Sequence, residues 1–293
     1  WKTIVSQDEQ IEYKVQEDEE QYYKTQGTQE SKSIRMFHNF IKKKLISGSM
    51  PLLNKKNLSI MDLSAGRGGD LQKWEPFQNI YAIDIDKKNI GNKRDTHSNS
   101  LLGRVNQIKQ KSSSYRYKKI VTIVDDMSNK KLQKHTDLQG VKVDVITIFF
   151  SIHYIANDLS KVQQVFDNVQ HFLKPNGYCV ITTFDGETIF NELKETPHKD
   201  KNGLSFIEQK TSDGRLLYRI SMGSNYKQQL KKTKNQFVSN ETSINFPIDV
   251  TYETFGKQKE YLVNSNYLTN IARQYGLEIV SQEELHKQFD RGV

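Results

Sequence analysis

Strand-like apolar runs alternate with helix-like stretches through the middle of this chain, and three successive runs end in a carboxylate. Leu58–Leu63, Asn79–Asp84, Lys119–Val124, Val141–Phe150 and Tyr178–Thr183 read as strands. Between the last two, Val162, Val165, Phe166, Val169 and Phe172 recur at helical spacing over 159–173, after the capping candidates Asn157 and Asp158. Lys174-Pro175-Asn176-Gly177 reads as a turn. Strands that alternate with helices demand long crossovers, and crossovers favour a mostly parallel sheet.

The first strand runs into Asp62-Leu63-Ser64-Ala65-Gly66-Arg67-Gly68-Gly69-Asp70, a glycine-rich turn that should open a helix at Asp70-Leu71. Such a turn lets backbone approach a ligand at the carboxyl edge of a sheet. The position three past Gly68 is Leu71, so the G-x-G-x-x-G spacing of a pyrophosphate cradle is absent. Asp84 closes the second strand, where a carboxylate can accept from both hydroxyls of a ribose. Asp125-Asp126 closes the third, in place to meet an adenine amino group. Acids would repel a pyrophosphate. They suit S-adenosyl-L-methionine, which carries a sulfonium, an ammonium and a ribose. Any one of these aspartates could simply serve a turn or a helix cap, so the set carries the reading.

The flanks differ from this centre. Residues 1–30 are polar, with seven acids between Asp8 and Glu20, and read as a partly disordered acidic arm before a domain over 31–293. From Ser33 an amphipathic helix places Ile34, Phe37, Ile41 and Leu45 on one side, and Gly48 and Pro51 should stop it. After residue 190 the pattern changes. Phe206–Gln209 and Leu216–Ile220 flank Thr211-Ser212-Asp213-Gly214 as a hairpin, and the Lys/Asn-rich stretch to about 258 reads as a β-rich insertion from about 191. A helix over 265–275, capped by Gly276, and a late strand Leu277–Val280 complete the domain.

Net charge is +8, which favours polyanionic partners and nucleic acid above all. There is no apolar run of membrane-spanning length, so no membrane partner is expected. The one cysteine, Cys179, lies in a strand-like run, reads as a buried inert thiol, and fits a reducing, intracellular and most simply cytoplasmic setting. A chain that opens on Trp1 reads as a domain excised from a longer polypeptide. No Cys/His cluster has metal-ligand spacing, and no metal is expected.

Four further segments join the glycine turn in one resemblance. Asp62 to Trp74 resembles the cofactor loop of mRNA cap guanine-N7 methyltransferases, whose pattern runs DLGCGKGGDLxKW. Phe37-His38-Asn39-Phe40-Ile41-Lys42 resembles that family's FNNWxK helix, and Phe150-Ser151-Ile152-His153-Tyr154 its QFxxHY motif. Thr182-Thr183-Phe184-Asp185-Gly186 resembles TTxDG, and Glu260-Tyr261-Leu262-Val263 resembles E-[YF]-[IL]-[VI]. The last two look most like the methyltransferase domains of large-DNA-virus or virus-like multifunctional capping enzymes. Ser64, Ala65, Arg67, Phe149 and Phe184 depart from the usual Gly, Cys, Lys, Gln and Pro. A late aromatic that lines the cap pocket in the family has no evident counterpart before Val293.

The resemblance implies a class I, Rossmann-like α/β fold with a seven-stranded, mostly parallel sheet, flanking helices and an inserted β-rich cap-binding segment. It implies cofactor contacts from Lys42, Ser64, Asp70, Asp84, Asp126, Ser151 and Tyr154, beside Asp62 and Gly66 of the turn itself. For the cap guanine it implies His38 or Asn39, His153, Tyr154, Phe184 and Glu260. Methyl transfer to guanine N7 needs no acid or base, because N7 carries a free lone pair; positioning and water exclusion suffice. The implied partners are S-adenosyl-L-methionine, capped RNA, a stimulatory protein subunit and covalently linked triphosphatase and guanylyltransferase domains. Lys87, Lys88, Lys93 and Arg94 are candidate phosphate contacts. Two other readings stand beside this one: a non-catalytic RNA-binding subunit with the same fold, and a methyltransferase acting on another RNA.

Overall fold

The computed structural model describes residues 28–53, 56–92, 94, 99–281, 283–284 and 286–287. Helix α1 (Gln29–Leu53) leads into β1 (Ser59–Asp62), β2 (Asn79–Asp84), α2 (Lys87–Ile90), α3 (Leu101–Lys111), α4 (Ser113–Arg116), β3 (Lys119–Val124) and β4 (Val143–Phe149). Then come α5 (Leu159–Phe172), β5 (Leu173–Thr182) and α6 (Gly186–Glu195). The chain continues through β6 (Phe206–Lys210), β7 (Leu216–Met222), α7 (Tyr226–Lys232), β8 (Pro247–Tyr252), β9 (Phe255–Tyr261) and α8 (Ser265–Gln274).

The central sheet has the order β3-β2-β1-β4-β5, and every pair in it is parallel. Period-two alternation distributes its apolar residues between two cores. Met61, Tyr81, Ile83 and Ile146 face the side covered by α5 and α8. Ile60, Ile80, Ala82 and Val145 face the side covered by α1 and α3. Strand order reverses between β1 and β4, which leaves a crevice at the carboxyl ends of those two strands.

A second sheet, β6-β7-β8-β9, is wholly antiparallel and packs α6 and α7 on one face through Phe190, Tyr226, Phe246 and Ile248. Its strands pair only with one another. The central sheet therefore has five strands among the described residues, not the seven expected. The late strand expected over Leu277–Val280 is also absent: after Gly276, at φ 74°, the backbone is irregular and Ile279 is 60% exposed. Leu277 packs against the core, but the segment pairs with neither edge strand of the central sheet, so no ladder holds it extended.

Three local expectations are corrected in the same way. Helix α1 runs past Gly48 and Pro51, because Ile46, Ser49 and Leu53 lie buried along one face and packing outweighs the breakers. The glycine turn opens one 3-10 turn, Leu71–Trp74, instead of an α-helix; the buried Trp74 indole and a hydrogen bond from Tyr115 Oη to the Leu71 carbonyl pin it there. The Lys174–Gly177 turn sits inside β5 as a bulge between the Leu173 and Tyr178 pairings, with Asn176 at φ 60°. The acidic arm lies outside the described residues up to residue 27. Its expected end at residue 30 shifts, since α1 already begins at Gln29. Among the described residues no helix is long and apolar enough to cross a membrane.

Candidate active site

Strand β1 delivers Asp62 to the crevice. The Asp62 carboxyl is buried; Oδ1 accepts from the Ser64 N–H at 3.0 Å, whereas Oδ2 has no hydrogen-bond partner. Burial, reinforced by the Asp70 charge, pushes it up to about 7. Asp70 is buried as well, but Lys42 Nζ stands 3.0 Å from one oxygen and Lys73 Nζ 2.9 Å from the other. Burial pushes its carboxyl up, and the two ammonium groups outweigh that and hold it below the ordinary value. Two acids eight residues apart thus sit in one crevice with opposite proton affinities.

Asp84, at the end of β2, shapes the turn. Its Oδ2 accepts from the Gly66 N–H at 2.8 Å, and its Oδ1 accepts from the Asp86 N–H at 2.9 Å and Asn89 Nδ2 at 3.1 Å. Gly68 lies at φ 79°, and a Cβ there would meet Leu101 Cδ1 at 2.6 Å, so this approach of loop to helix needs glycine. The Asp125 N–H donates to the Asp84 carbonyl at 3.1 Å, which ties the ends of β2 and β3. Asp126 Oδ1 accepts from the Ser128 N–H and hydroxyl, both at 2.8 Å. Ser64 Oγ accepts from the Phe149 N–H at 3.3 Å, and the buried Ser151 hydroxyl has no partner.

Lys42 also reaches the neighbouring pocket. Its Nζ lies 5.1 Å from the Phe149 ring centre and 5.6 Å from that of Phe150. Phe150 holds φ 49°, a conformation rare and costly for a bulky residue, at the point where β4 meets the crevice. Rings follow one another from there. His38 is 4.5 Å from Phe150, Phe150 5.7 Å from Phe184, Phe184 5.5 Å from His153, and His153 4.4 Å from Tyr154. Tyr252 lies nearly parallel to Phe184 at 6.5 Å.

Beside these rings His153 and Glu260 are both buried, with Nε2 and Oε2 3.6 Å apart, beyond hydrogen-bonding distance. Burial pulls His153 down to about 4 and pushes Glu260 up to about 7. Burial, with Lys42 nearby, also pulls His38 down to about 4. His153 Nδ1 and Glu260 Oε2 lack hydrogen-bond partners, so a buried donor–acceptor set faces the rings unsatisfied. Asp185 caps α6 through the Glu187 and Thr188 N–H groups, and Gly186 lies so close under Val263 that a Cβ would meet its carbonyl oxygen at 2.3 Å. The Phe184 and Glu260 segments are thereby locked together.

The sequence profile of the mRNA (guanine-N(7))-methyltransferase domain matches residues 5–293. The chain belongs to this family. Among its relatives, a probable mRNA-capping enzyme of Acanthamoeba polyphaga mimivirus is 28% identical over 59% of this chain and 16% of its own length. The mRNA cap guanine-N(7) methyltransferase 1 of rice is 24% identical over 87% of this chain and 61% of its own. The Saccharomyces cerevisiae mRNA cap guanine-N(7) methyltransferase is 24% identical over 87% of this chain and 53% of its own. The methyltransferase domain therefore spans under two thirds of each of these relatives.

Most residues named from sequence converge here. Asp62, Ser64, Gly66, Asp70, Asp84 and Lys42 surround one turn, and His38, His153, Tyr154, Phe184 and Glu260 surround one group of rings. Asn39 is placed differently: its Oδ1 accepts from Lys73 Nζ at 2.9 Å, which directs it toward the Asp70 side. Lys87 and Lys88 are exposed on α2, and Lys93 lies outside the described residues. Three participants were given no role from sequence alone. Lys73 sits three residues past Asp70 and Phe150 opens the His-Tyr motif, so both were findable. Tyr252 lies in the Lys/Asn-rich stretch, and only the pairing of β8 brings it beside Phe184.

Proposed function

We propose that this domain transfers a methyl group from S-adenosyl-L-methionine to N7 of the guanine in an mRNA cap. The observation that carries the reading is the buried, unsatisfied Glu260 carboxyl among aromatic rings, joined through Lys42 and Phe150 to an acid-lined crevice at the sheet's switch point. The crevice fits the cofactor. Asp62 Oδ2 and Ser151 Oγ are buried polar atoms awaiting partners, and the acids match a ligand with two cationic centres and no phosphate.

When bound, S-adenosyl-L-methionine would supply an electrophilic methyl group; the N7 lone pair would form the new bond, sulfur would keep the electrons of the old one, and the purine would take the positive charge. Asp62 and Asp70 would hold the amino-acid end, Asp84 the ribose and Asp126 the adenine, and Gly66 would give backbone access. Ionised Glu260 accepts from the guanine N1–H and exocyclic amine. His38, Phe150, Phe184, neutral His153 and Tyr154 orient the ring and exclude water. None of these residues removes a proton, since N7 has none to lose. Tyr154 borders the guanine half of the site: it is 48% exposed and lies 4.4 Å from His153, and burial, then Glu260, push its hydroxyl up to about 12.

As parts of this proposal the parent protein carries linked triphosphatase and guanylyltransferase domains, in keeping with similarity to a mimiviral mRNA-capping enzyme of which this chain spans 16%, and it works in the cytoplasm with a stimulatory subunit. Incubation of the domain with methyl-labelled cofactor and GpppA-capped RNA should give label on cap guanine N7. Failure under conditions where an authentic cap methyltransferase works, or label on uncapped RNA alone, would overturn it.

A further inference from the structure

The aromatic series does not stop at the guanine pocket. Tyr252, inclined by 27° to Phe184, is followed by Tyr218 at 6.3 Å, its directly opposed partner on β7. Both rings lie on the face of the antiparallel sheet that also carries Glu260. Register fixes the interval: the Met222, Ile248 and Glu260 row and the Tyr218, Tyr252 row are four residues apart along β7 and β8, roughly 13 Å. Burial first, then Glu260, Tyr218 and Tyr154, push the Tyr252 hydroxyl up, so Tyr252 adjoins the guanine pocket and Tyr218 stands one ring farther out.

Tyr218 packs at the margin of the core under α6 and α7, and the groups on its outer side are polar. Its ring is half-buried; opposite it on β6 is the exposed Gln209, and the exposed Glu192 of α6 is near enough to act on its hydroxyl. Beyond it the hairpin tips are fastened to α1. Thr28 donates to Glu253 from its N–H at 3.1 Å and from its hydroxyl at 2.7 Å, and Ser212 donates to Glu30 from its N–H at 3.0 Å and from its hydroxyl at 2.9 Å. The same helix carries His38, and both clamps fix its first turn to the end of the sheet just beyond the Tyr218, Tyr252 row.

We infer that Tyr218, backed by Tyr252, is a second stacking subsite, which takes the base of the first transcribed nucleoside while the guanine occupies the pocket of Glu260 and His153. This rests on the proposed cap-methylation reading. The chemistry is general: an aromatic face stacks on any nucleobase, worth about 1–3 kcal/mol, without reading its edge. The subsite selects for the presence of a second nucleoside, not its identity. A cross-strand tyrosine pair can also exist only to steady the sheet. The two roles differ in what Tyr218 should discriminate.

GTP carries the guanine and three phosphates but no second nucleoside, and GpppA carries both. For Tyr218→Ala, the KM for GpppA should rise about 5- to 150-fold, as lost stacking implies, with the inhibition constant of GTP and the KM of the cofactor unchanged. Tyr218→Phe should restore the GpppA value, and GpppA and GpppG should respond alike. Equal weakening of GTP and GpppA would mean that Tyr218 merely supports the guanine pocket, and no change in either would mean that no subsite exists; both overturn the inference. If the unsubstituted domain itself methylates neither GpppA nor capped RNA, the cap-methylation reading has failed first.

Discussion

His153 Nε2 and Glu260 Oε2 stand 3.6 Å apart, both buried, with proton affinities moved in opposite directions. In the proposed reaction a protonated histidine would repel the purine as it gains positive charge, and a value of about 4 keeps the imidazole neutral near neutral pH. Glu260, at about 7, is divided between two forms near neutrality, and only the ionised form accepts twice from guanine.

This predicts a pH profile. At saturating cofactor, kcat/KM for GpppA should rise with pH and level off above an inflection near 7, because that quantity reports groups in the form that has yet to bind the cap. Glu260→Gln should lower the plateau by about tenfold or more, as loss of charge-assisted hydrogen bonds implies, and should remove the inflection. An inflection retained in Glu260→Gln would assign the titration elsewhere.

The two halves of the site should separate by mutation. Asp84→Ala releases the Gly66 and Asp86 N–H groups and Asn89, so calorimetry should show S-adenosylhomocysteine bound at least about tenfold more weakly, the loss expected for a charge-assisted contact. Glu260→Ala should leave that affinity unchanged while raising the KM for cap. Equal loss of cofactor affinity in both variants would contradict the partition.

Asp62 carries a stability cost with a definite sign. Its folded value of about 7 exceeds the ordinary 3.8. The folded state therefore holds the extra proton, and the associated stability is complete below about pH 4 and lost as pH rises through 7. Asp62→Asn keeps an acceptor for the Ser64 N–H and removes the charge. Its melting temperature at pH 8 should equal or exceed that of the unsubstituted domain, while cofactor binding falls. A variant less stable at pH 8 would show that the carboxylate is better solvated than its burial implies.

Gly186→Ala should be damaging although alanine favours helices. The added carbon would meet the Val263 carbonyl oxygen at 2.3 Å and the carbonyl carbon and amide nitrogen at 2.8 Å, all backbone atoms with little room to yield. Overpacking of this kind costs about 1–3 kcal/mol. The melting temperature should drop by several degrees, and KM for cap should rise as Phe184 and Glu260 move apart. A neutral substitution would mean that this contact relaxes freely.

Much of this protein was legible in its sequence because the relevant physics is local. Period-two apolar runs with helical spacers specified β1 to β5 and their parallel pairing. Asp62, Asp84 and Asp126 were readable because a strand end followed by a glycine or polar turn puts its acid at the sheet edge. The recurring motifs named His153, Tyr154 and Glu260 before any contact was known.

What the tertiary structure decided is everything set by long-range proximity. The strands after residue 190 could have extended the central sheet, and only their mutual pairing shows a separate antiparallel one. Tyr252 and Tyr218 join the aromatic series through register between β7 and β8. The proton affinities of Asp62, Asp70, His153 and Glu260 depend on burial and on charges far away in sequence, which no local pattern encodes. A chain's period prescribes which side chains share a face; only packing determines which faces meet, and so where water and charge are excluded.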